Sequence, residues 1–384
     1  MKNRSYYEGI LTDRRQLGRF PMDRLKRVEQ PTTRITDNIQ RFDEREHGFN
    51  RALRGDFGPI VVKERRRPMK YPIAAAEQDM TVYLVPVVDG EVAPSTAPIP
   101  EDPEVLTRHI KRLGYFLRAD IVGICRLPQW AVYSHDKEGN PVELNHQFAI
   151  VVVVDQDYET MNGSTGSDWI STTQSWQSYS TSAFIACIMA DYIRRLGYPA
   201  RAHHARNYQV LVPPLLLLAG IGEMSRAGIV LNPFLGPRFK AAVVTTDLPL
   251  VPDKPVDFGL QEFCQKCMKC AVECPPRAIP VGDKVMYNGY EVWKLDIERC
   301  TKFRITNQNG SSCGHCIKVC PWNKREGWTH DVVRWMIRHT PFLDKPIIKM
   351  DDIWGYGKQD KKDKWWFDLE EVDGVIKIPT GVHD

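Results

Sequence analysis

Two cysteine runs dominate the second half of this chain: Cys264-x2-Cys267-x2-Cys270-x3-Cys274-Pro275 and Cys300-x12-Cys313-x2-Cys316-x3-Cys320-Pro321. In the first run, three closely spaced thiolates hold one [4Fe–4S] cluster and the fourth thiolate reaches across to another cluster. The second run supplies the complementary set, so the spacing predicts two cubane clusters with no thiolate left over. The proline after each run ends the ligand loop because it fixes φ and removes a backbone donor.

The eight thiolates divide into two ligand sets. The spacing assigns Cys264, Cys267, Cys270 and Cys320 to a first cluster, and Cys274, Cys300, Cys313 and Cys316 to a second. A structural zinc site takes four ligands and usually pairs two Cys-x2-Cys knuckles, so it would leave half of these cysteines unused. A disulfide framework is typical of short secreted chains. The other two cysteines, Cys125 and Cys187, lie in apolar segments and are predicted to be core residues.

Composition and charge are those of a soluble globular protein. The chain has 384 residues, with 42% hydrophobic and 26% charged residues. A net charge of +4 is too small to indicate a nucleic-acid partner. The longest apolar runs fall well short of the ~20 residues that a membrane span needs. No apolar stretch follows Arg14-Arg15, so the sequence predicts a cytoplasmic protein unless a twin-arginine signal was removed. The alternative is association with the outer face of the cytoplasmic membrane.

Periodicity and turn residues predict an α+β fold in four regions. The regions are an extended N-terminal arm (1–75), an α+β catalytic body (76–257), a ferredoxin-like iron–sulfur module (258–324) and a Trp-rich tail that packs on the body (325–384). Predicted strands are Val82–Val88, Asp120–Cys125, Phe148–Asp155, Pro199–His204 and Phe239–Asp247. Predicted helices are Glu101–Leu117, a short one within Pro213–Gly228, and a long one from Trp176 or Gln177 to about Leu196, closed by Gly197. Met161–Ser175 is predicted to be a loop.

The body is too long for a simple electron carrier, so a catalytic centre is expected within it. No Gly-x-Gly-x-x-Gly run follows a predicted strand, which leaves a Rossmann dinucleotide site unsupported. No Cys-x2-Cys-His haem attachment and no Gly-x-Ser-x-Gly nucleophile elbow occur either. His203 and His204 are adjacent on a predicted strand and point to opposite faces, so they are not predicted to share a metal.

Several short segments, in order along the chain, resemble the reductive dehalogenases, which are corrinoid and iron–sulfur enzymes of organohalide reduction. The segments are Phe42-Asp43-Glu44-Arg45, Gly48-Phe49-Asn50-Arg51-Ala52, Tyr179-Ser180, Ile193-Arg194-Arg195-Leu196-Gly197-Tyr198, Ala219-Gly220-Ile221-Gly222-Glu223, Asn232-Pro233-Phe234-Leu235-Gly236-Pro237-Arg238 and Thr246-Asp247-Leu248-Pro249-Leu250. They run directly into the cysteine motif and cover roughly residues 15–325.

The resemblance implies a nitroreductase-like, cobalamin-binding body with an inserted or appended ferredoxin-like module carrying two [4Fe–4S] clusters. It implies cobalamin or another corrinoid, with electrons passing through the clusters to give cobalt(I). The Asp-x-His-x-x-Gly motif that supplies an axial histidine in many corrinoid proteins is absent. That absence suits a base-off corrinoid, in which low-valent cobalt is easier to reach.

The resemblance also implies site residues. Tyr179 would deliver a proton to carbon, and a basic residue beside it would lower the pKa of the phenol. Arg238 is the first choice for this basic residue and Lys240 the second. Weaker pocket assignments are Asn207, Trp176 and Arg304. The plainer alternatives are an aromatic side chain packed at a helix start for Tyr179 and surface cations for the two basic residues.

The expected partners are a small organohalide and an external electron donor: a ferredoxin, a flavodoxin or a quinol-linked membrane partner. The sequence leaves open whether the protein binds a membrane anchor subunit and whether it forms a homodimer. One rival interpretation is an epoxyqueuosine reductase-like enzyme acting on a tRNA base. That enzyme would carry an Asp-Tyr-His motif and a helical-repeat tail, and neither is evident. The other rival is a non-catalytic corrinoid-binding or electron-transfer subunit, which would not need a tyrosine beside a basic residue.

Overall fold

The computed structural model describes residues 16–380. The helices are α1 (Gly48–Arg54), α2 (Pro59–Glu64), α3 (Pro72–Tyr83), α4 (Pro103–Phe116), α5 (Tyr158–Gly163), α6 (Ile170–Arg195), α7 (Val212–Leu218), α8 (Leu260–Cys267), α9 (Lys269–Val272), α10 (Ile297–Thr306), α11 (His315–Lys318), α12 (Trp328–His339) and α13 (Asp344–Ile353). The strands are β1 (Ile121–Arg126), β2 (Phe148–Asp155), β3 (Ala200–His203), β4 (Glu223–Met224), β5 (Val230–Leu231), β6 (Phe239–Thr246), β7 (Val285–Tyr287), β8 (Tyr290–Val292), β9 (Glu370–Val372) and β10 (Val375–Lys377).

A four-stranded sheet in the order β1-β2-β6-β3 forms the centre of the body, and each neighbouring pair is antiparallel. Successive side chains of a strand point to opposite faces, and both faces of this sheet are covered. Ile150, Val152 and Val154 pack against α4 and α6. Ala149, Val151 and Val153 pack on the other side, against α7. Burial on both faces explains the unbroken β-branched run in β2.

The long helix α6 starts six residues earlier than the predicted Trp176, so the predicted loop Met161–Ser175 is wrong. Ser, Thr, Gln and Asn suggested a solvated loop, yet residues 170–174 are buried in the first turns of the helix. Tertiary burial here outweighs the low helix propensity of Ser and Thr. The predicted end is confirmed, because Gly197 follows the helix at φ +85° and a Cβ there would lie 2.7 Å from the Ser95 carbonyl oxygen.

The predicted strand Val82–Val88 is also wrong. These residues form the end of α3 and a 3-10 turn at Val85–Val87. Pro72 at the first turn and a run of three alanines favour the helix, and Pro86 cannot donate to a sheet. The predicted helix at Glu101–Leu117 and the strands at Asp120–Cys125, Phe148–Asp155, Pro199–His204 and Phe239–Asp247 are confirmed within one or two residues.

The N-terminal region contacts both the body and the cysteine module. Extended residues form isolated bridges from Arg27 to Val256 and from Ile35 to Tyr290. Helices α1 to α3 then follow in a region predicted to be extended, and α1 packs on α10 in the module. Gly48 is needed at that contact, since a Cβ would meet the Thr301 hydroxyl at 2.6 Å.

The C-terminal region returns to the body after α12 and α13. Trp366 is buried beside Tyr71 and Trp169, and the Trp169 indole N–H donates to the Phe367 carbonyl at 3.1 Å. In the described part of the chain, no helix combines the length and apolar character that crossing a bilayer requires.

Candidate active site and cluster module

The thiols are arranged in two neighbourhoods. The Cys320 thiol interacts electrostatically with the thiols of Cys264, Cys267 and Cys270. The Cys316 thiol interacts in the same way with those of Cys274, Cys300 and Cys313. One further interaction, between Cys270 and Cys316, joins the two neighbourhoods. Burial raises the pKa of the Cys264 and Cys316 thiols to about 12, so these sulfurs would need a metal's charge to become thiolates.

The spacing of these thiols suits a cluster better than a single ion. Within residues 16–380, no three His, Cys, Asp or Glu side chains converge closely enough to hold one metal ion. A cavity nevertheless lies among Cys264, Cys267, Cys270 and Cys320. A cubane holds its cysteine ligands at separate corners, so thiols arranged around a cavity fit such a group.

Tyr179 lies in the third turn of α6 rather than at its head. Thr172, Trp176 and Tyr179 follow one face of the helix at spacings of four and three residues. Burial raises the pKa of the Tyr179 phenol, and the positive charge of Arg304 only partly offsets that effect. The expected lowering of this pKa is therefore wrong, because desolvation outweighs the cation. The phenol keeps its proton near neutral pH, as a proton donor should.

Lys240 is the basic residue beside Tyr179. Its ammonium lies 5.4 Å from the centroid of the Tyr179 ring. Lys240 is the second residue of β6. It pairs across the sheet with Val154 and therefore lies beside the C-terminal end of β2. Burial and the charge of Arg304 lower the pKa of Lys240 to about 8, and the Cys316 thiol acts in the opposite direction. Lys240 thus contacts the Tyr179 ring and interacts electrostatically with one thiol of the second set.

Arg238 lies two residues away but is occupied elsewhere. Its guanidinium donates to the Asp155 carboxylate at 2.8 and 3.2 Å and to the Asn323 side-chain oxygen at 2.6 Å. The side chain is only 4% exposed. Because Asp155 ends β2 and Asn323 follows the last cysteine, this ion pair joins the body to the cluster module. The structure therefore reverses the predicted order and places Lys240, not Arg238, against Tyr179.

Replacing Arg238 with glutamine should destabilise the protein by about 3 kcal/mol, because it leaves the Asp155 carboxylate without its buried partner. Chemical denaturation of the anaerobic protein measures this. Arg195→Gln is the matched control, since its ion pair with Asp191 is exposed to solvent and should contribute little to stability. Equal unfolding free energies for the two variants would contradict the structural role of Arg238.

Arg304, on α10, connects the second thiol set to the site. Its charge acts on the thiols of Cys300 and Cys313 as well as on Tyr179 and Lys240. Ser312 accepts a hydrogen bond from its Nε at 3.0 Å, and its guanidinium lies 4.7 Å from the Phe49 ring. The N-terminal region thus contributes to holding Arg304 in place.

Trp176 and Asn207 differ in how close they come to Tyr179. The rings of Trp176 and Tyr179 are 5.6 Å apart. The Arg206 guanidinium also lies over the Trp176 ring, 4.6 Å from its centroid. Asn207 is held instead by Arg201, whose guanidinium donates to its side-chain oxygen. The sequence analysis did not identify Arg206 as a neighbour of the site. It also did not identify Thr172 as sharing a helix face with Tyr179, because the predicted helix began after Thr172.

Four buried polar atoms in or beside the first turns of α6 have no hydrogen-bond partner in the described part of the chain. They are Gln156 Oε1, Thr172 Oγ1, Thr173 Oγ1 and Gln174 Oε1. Buried polar groups in native proteins are nearly always paired, so such a cluster suggests a missing polar ligand. A corrin carries amide side chains that can pair with hydroxyl and amide groups, so these residues fit that cofactor.

The chain resembles known proteins both in sequence and in fold. The 4Fe-4S dicluster domain family matches residues 263–324. Two solved structures superimpose with a TM-score of 0.92 at 45% identity. One is the catabolic reductive dehalogenase NpRdhA in complex with 3-bromo-4-hydroxybenzoic acid, matched over 98% of this chain and 55% of that chain. The other, matched over 97% and 55%, is a reductive dehalogenase structure that suggests a mechanism for B12-dependent dehalogenation. The chain is related to the reductive dehalogenases.

The present chain is also similar in sequence to the tetrachloroethene reductive dehalogenase of Dehalobacter restrictus. The two are 38% identical over 240 residues, or 60% of this chain and 41% of that enzyme. The epoxyqueuosine reductase of Salmonella typhimurium is a more distant relative, 29% identical over 129 residues. The chain spans about half the length of the dehalogenases that it matches.

Proposed function

We propose that this protein is a reductive dehalogenase that removes halide from an organohalide, using a corrinoid and two [4Fe–4S] clusters. The observation that carries the proposal is the position of Lys240, whose ammonium lies 5.4 Å from the Tyr179 ring centroid and interacts electrostatically with the Cys316 thiol of the second set and with Arg304. A proton donor and the end of an electron path therefore meet in one place. A simple electron carrier would have no need of that arrangement.

Each residue of the site has a proposed task. The thiol sets hold the clusters in the pairing described above, and the corrinoid, when bound, supplies the reducing centre that breaks the carbon–halogen bond. The face of α6 from Thr172 to Tyr179, together with Gln156, would hold the corrin's amides. Tyr179 holds the proton that passes to carbon, and the Lys240 ammonium stabilises the phenolate left behind. Arg304 adds positive charge on the cluster side.

Replacing Lys240 with glutamine should lower turnover by about 10²-fold, since it removes one preorganised charge from the developing phenolate. It should leave the unfolding free energy nearly unchanged, because the described residues provide no ion pair to this ammonium. Arg238→Gln should show the opposite pattern, a large stability loss. Steady-state halide release and denaturation of both variants test this, and a turnover defect confined to Arg238→Gln would contradict it.

The activity itself is tested by halide release. The protein is purified anaerobically, its clusters are reconstituted, and hydroxocobalamin is added with reduced methyl viologen as donor. Two probes cover the substrates of the relatives: tetrachloroethene and 3-bromo-4-hydroxybenzoic acid. Release of chloride or bromide that requires cobalamin supports the proposal. Reconstituted protein that contains about eight irons but takes up no corrinoid would overturn it.

We also retain four finer assignments as proposals. The body (76–257) is nitroreductase-like, and the corrinoid is bound base-off. The division into four regions is kept, although its first boundary, at residues 75 and 76, falls inside helix α3 (Pro72–Tyr83). The electron donor is a separate protein rather than part of residues 1–384.

A further inference from the structure

The two thiol sets differ in what surrounds them. The second set faces the site, where Lys240 and Arg304 act on its thiols. The cavity of the first set is lined by Met268, which is 37% exposed. Cys267 and Cys270, on either side of Met268, are partly exposed as well. An electron carrier that binds on the Met268 side of the module would therefore come next to the first set.

Helix α13 lies beside Met268 and is held there by ion pairs. The Lys269 ammonium lies 2.7 Å from carboxylate oxygens of both Asp351 and Asp352. The side chain of Asp351 is buried and also pairs with Lys324. These contacts fix one side of α13 against the cysteine module, close to Cys267 and Cys270, so its other side faces solvent.

The outer side of α13 is apolar and basic. Met350, Ile353 and Trp354 are 44%, 71% and 62% exposed. Lys345 and Lys349 are exposed too, and the described residues offer neither of them an ion pair. All three acidic side chains of the helix, by contrast, are paired to lysines on α8 and α9. A positive rim around exposed apolar side chains is typical of a protein-binding surface.

We propose that this surface, formed by Met268, Lys345, Lys349, Met350, Ile353 and Trp354, is the docking site for an acidic one-electron carrier protein. The carrier's negative face pairs with the two lysines, and its redox centre comes to lie over the first cluster. One electron leaves the carrier and reduces the first cluster, and it then passes to the second cluster. The role of this surface rests on the proposed function, because the electrons would be used for dehalogenation. Its test measures cluster reduction and does not require dehalogenation.

The test is the charge-reversed variant K345E/K349E, with cobalamin and clusters in place. The probe is an acidic plant-type [2Fe–2S] ferredoxin, reduced before mixing. Stopped-flow bleaching of the iron–sulfur absorbance reports cluster reduction directly. We expect the second-order rate constant to fall about ten-fold or more, and the wild-type rate to fall with added salt. Reduction by methyl viologen, a small molecule, should stay within about two-fold of wild type.

The matched control is K361E/K362E, which makes the same charge change on exposed tail lysines that lie next to α5 rather than on α13. It should keep the wild-type rate with the ferredoxin. Unchanged reduction of K345E/K349E, or an equal loss in the control, overturns the proposal. A wild-type dimer in sedimentation that K345E/K349E dissociates would overturn it as well, because a second copy would then cover the surface. Failure to release halide with viologen as donor would overturn the proposed function. It would not affect the measurement of cluster reduction by the ferredoxin, which tests the docking site.

Discussion

Tyr179→Phe should lower halide release by about 10²–10⁴-fold, the usual contribution of a positioned proton donor. The phenol lies 5.4 Å from the Lys240 ammonium, measured to the ring centroid, and burial keeps it protonated. Phenylalanine preserves the ring that packs on Trp176 and removes the hydroxyl alone. Iron content, corrinoid uptake and cluster reduction should therefore match the wild-type protein. Steady-state halide release with reduced viologen, alongside metal analysis and an optical spectrum, measures each quantity.

The control is Tyr192→Phe, which makes the same change on the same helix. Tyr192 lies more than three turns further along α6, where its hydroxyl contacts His109 at 2.8 Å. It should keep turnover within about two-fold of wild type, because it loses one exposed hydrogen bond. Near-normal halide release by Tyr179→Phe would refute the proton-donor role and leave the aromatic packing interpretation in its place.

Cys316→Ser should abolish turnover with every electron donor. Cys316 belongs to the second thiol set, and its thiol is also the one that interacts with Lys240. A cluster that loses one of its four thiolates is not expected to assemble stably. The variant should thus bind about four irons rather than about eight, and the first cluster should still be reduced by viologen. Iron analysis and low-temperature electron paramagnetic resonance of the reduced protein would show this.

Cys187→Ala controls for the loss of a cysteine as such. Cys187 is 6% exposed, lies in the core between α6 and the sheet, and belongs to neither thiol set. It should keep the full iron content and turnover, with a modest loss of stability from the smaller side chain. Wild-type iron content in Cys316→Ser would overturn the proposed ligand set.

Sequence reasoning succeeded where a short pattern contains the physical information. The cysteine spacing predicted the cluster module, and the dicluster family match covers it. The β-branched run of β2 predicted a buried strand, since few other structures bury such a run. Gly197 correctly marked the end of α6. The start of α6 was mispredicted, because buried polar residues and solvated polar residues look alike in a sequence.

The choice between Arg238 and Lys240 required the tertiary structure. Both are basic, and both lie on or directly before β6. Because they are two residues apart in extended backbone, their side chains are expected on the same face. Partners distant in sequence separate them: Asp155 neutralises Arg238 and Asn323 accepts a hydrogen bond from it, whereas no carboxylate reaches Lys240 within residues 16–380. The spacing of the cysteine ligands is a local property of the chain, so the sequence alone predicts it. The charge state and neighbours of a buried side chain depend on which distant segments fold against it, so only the tertiary structure decides them.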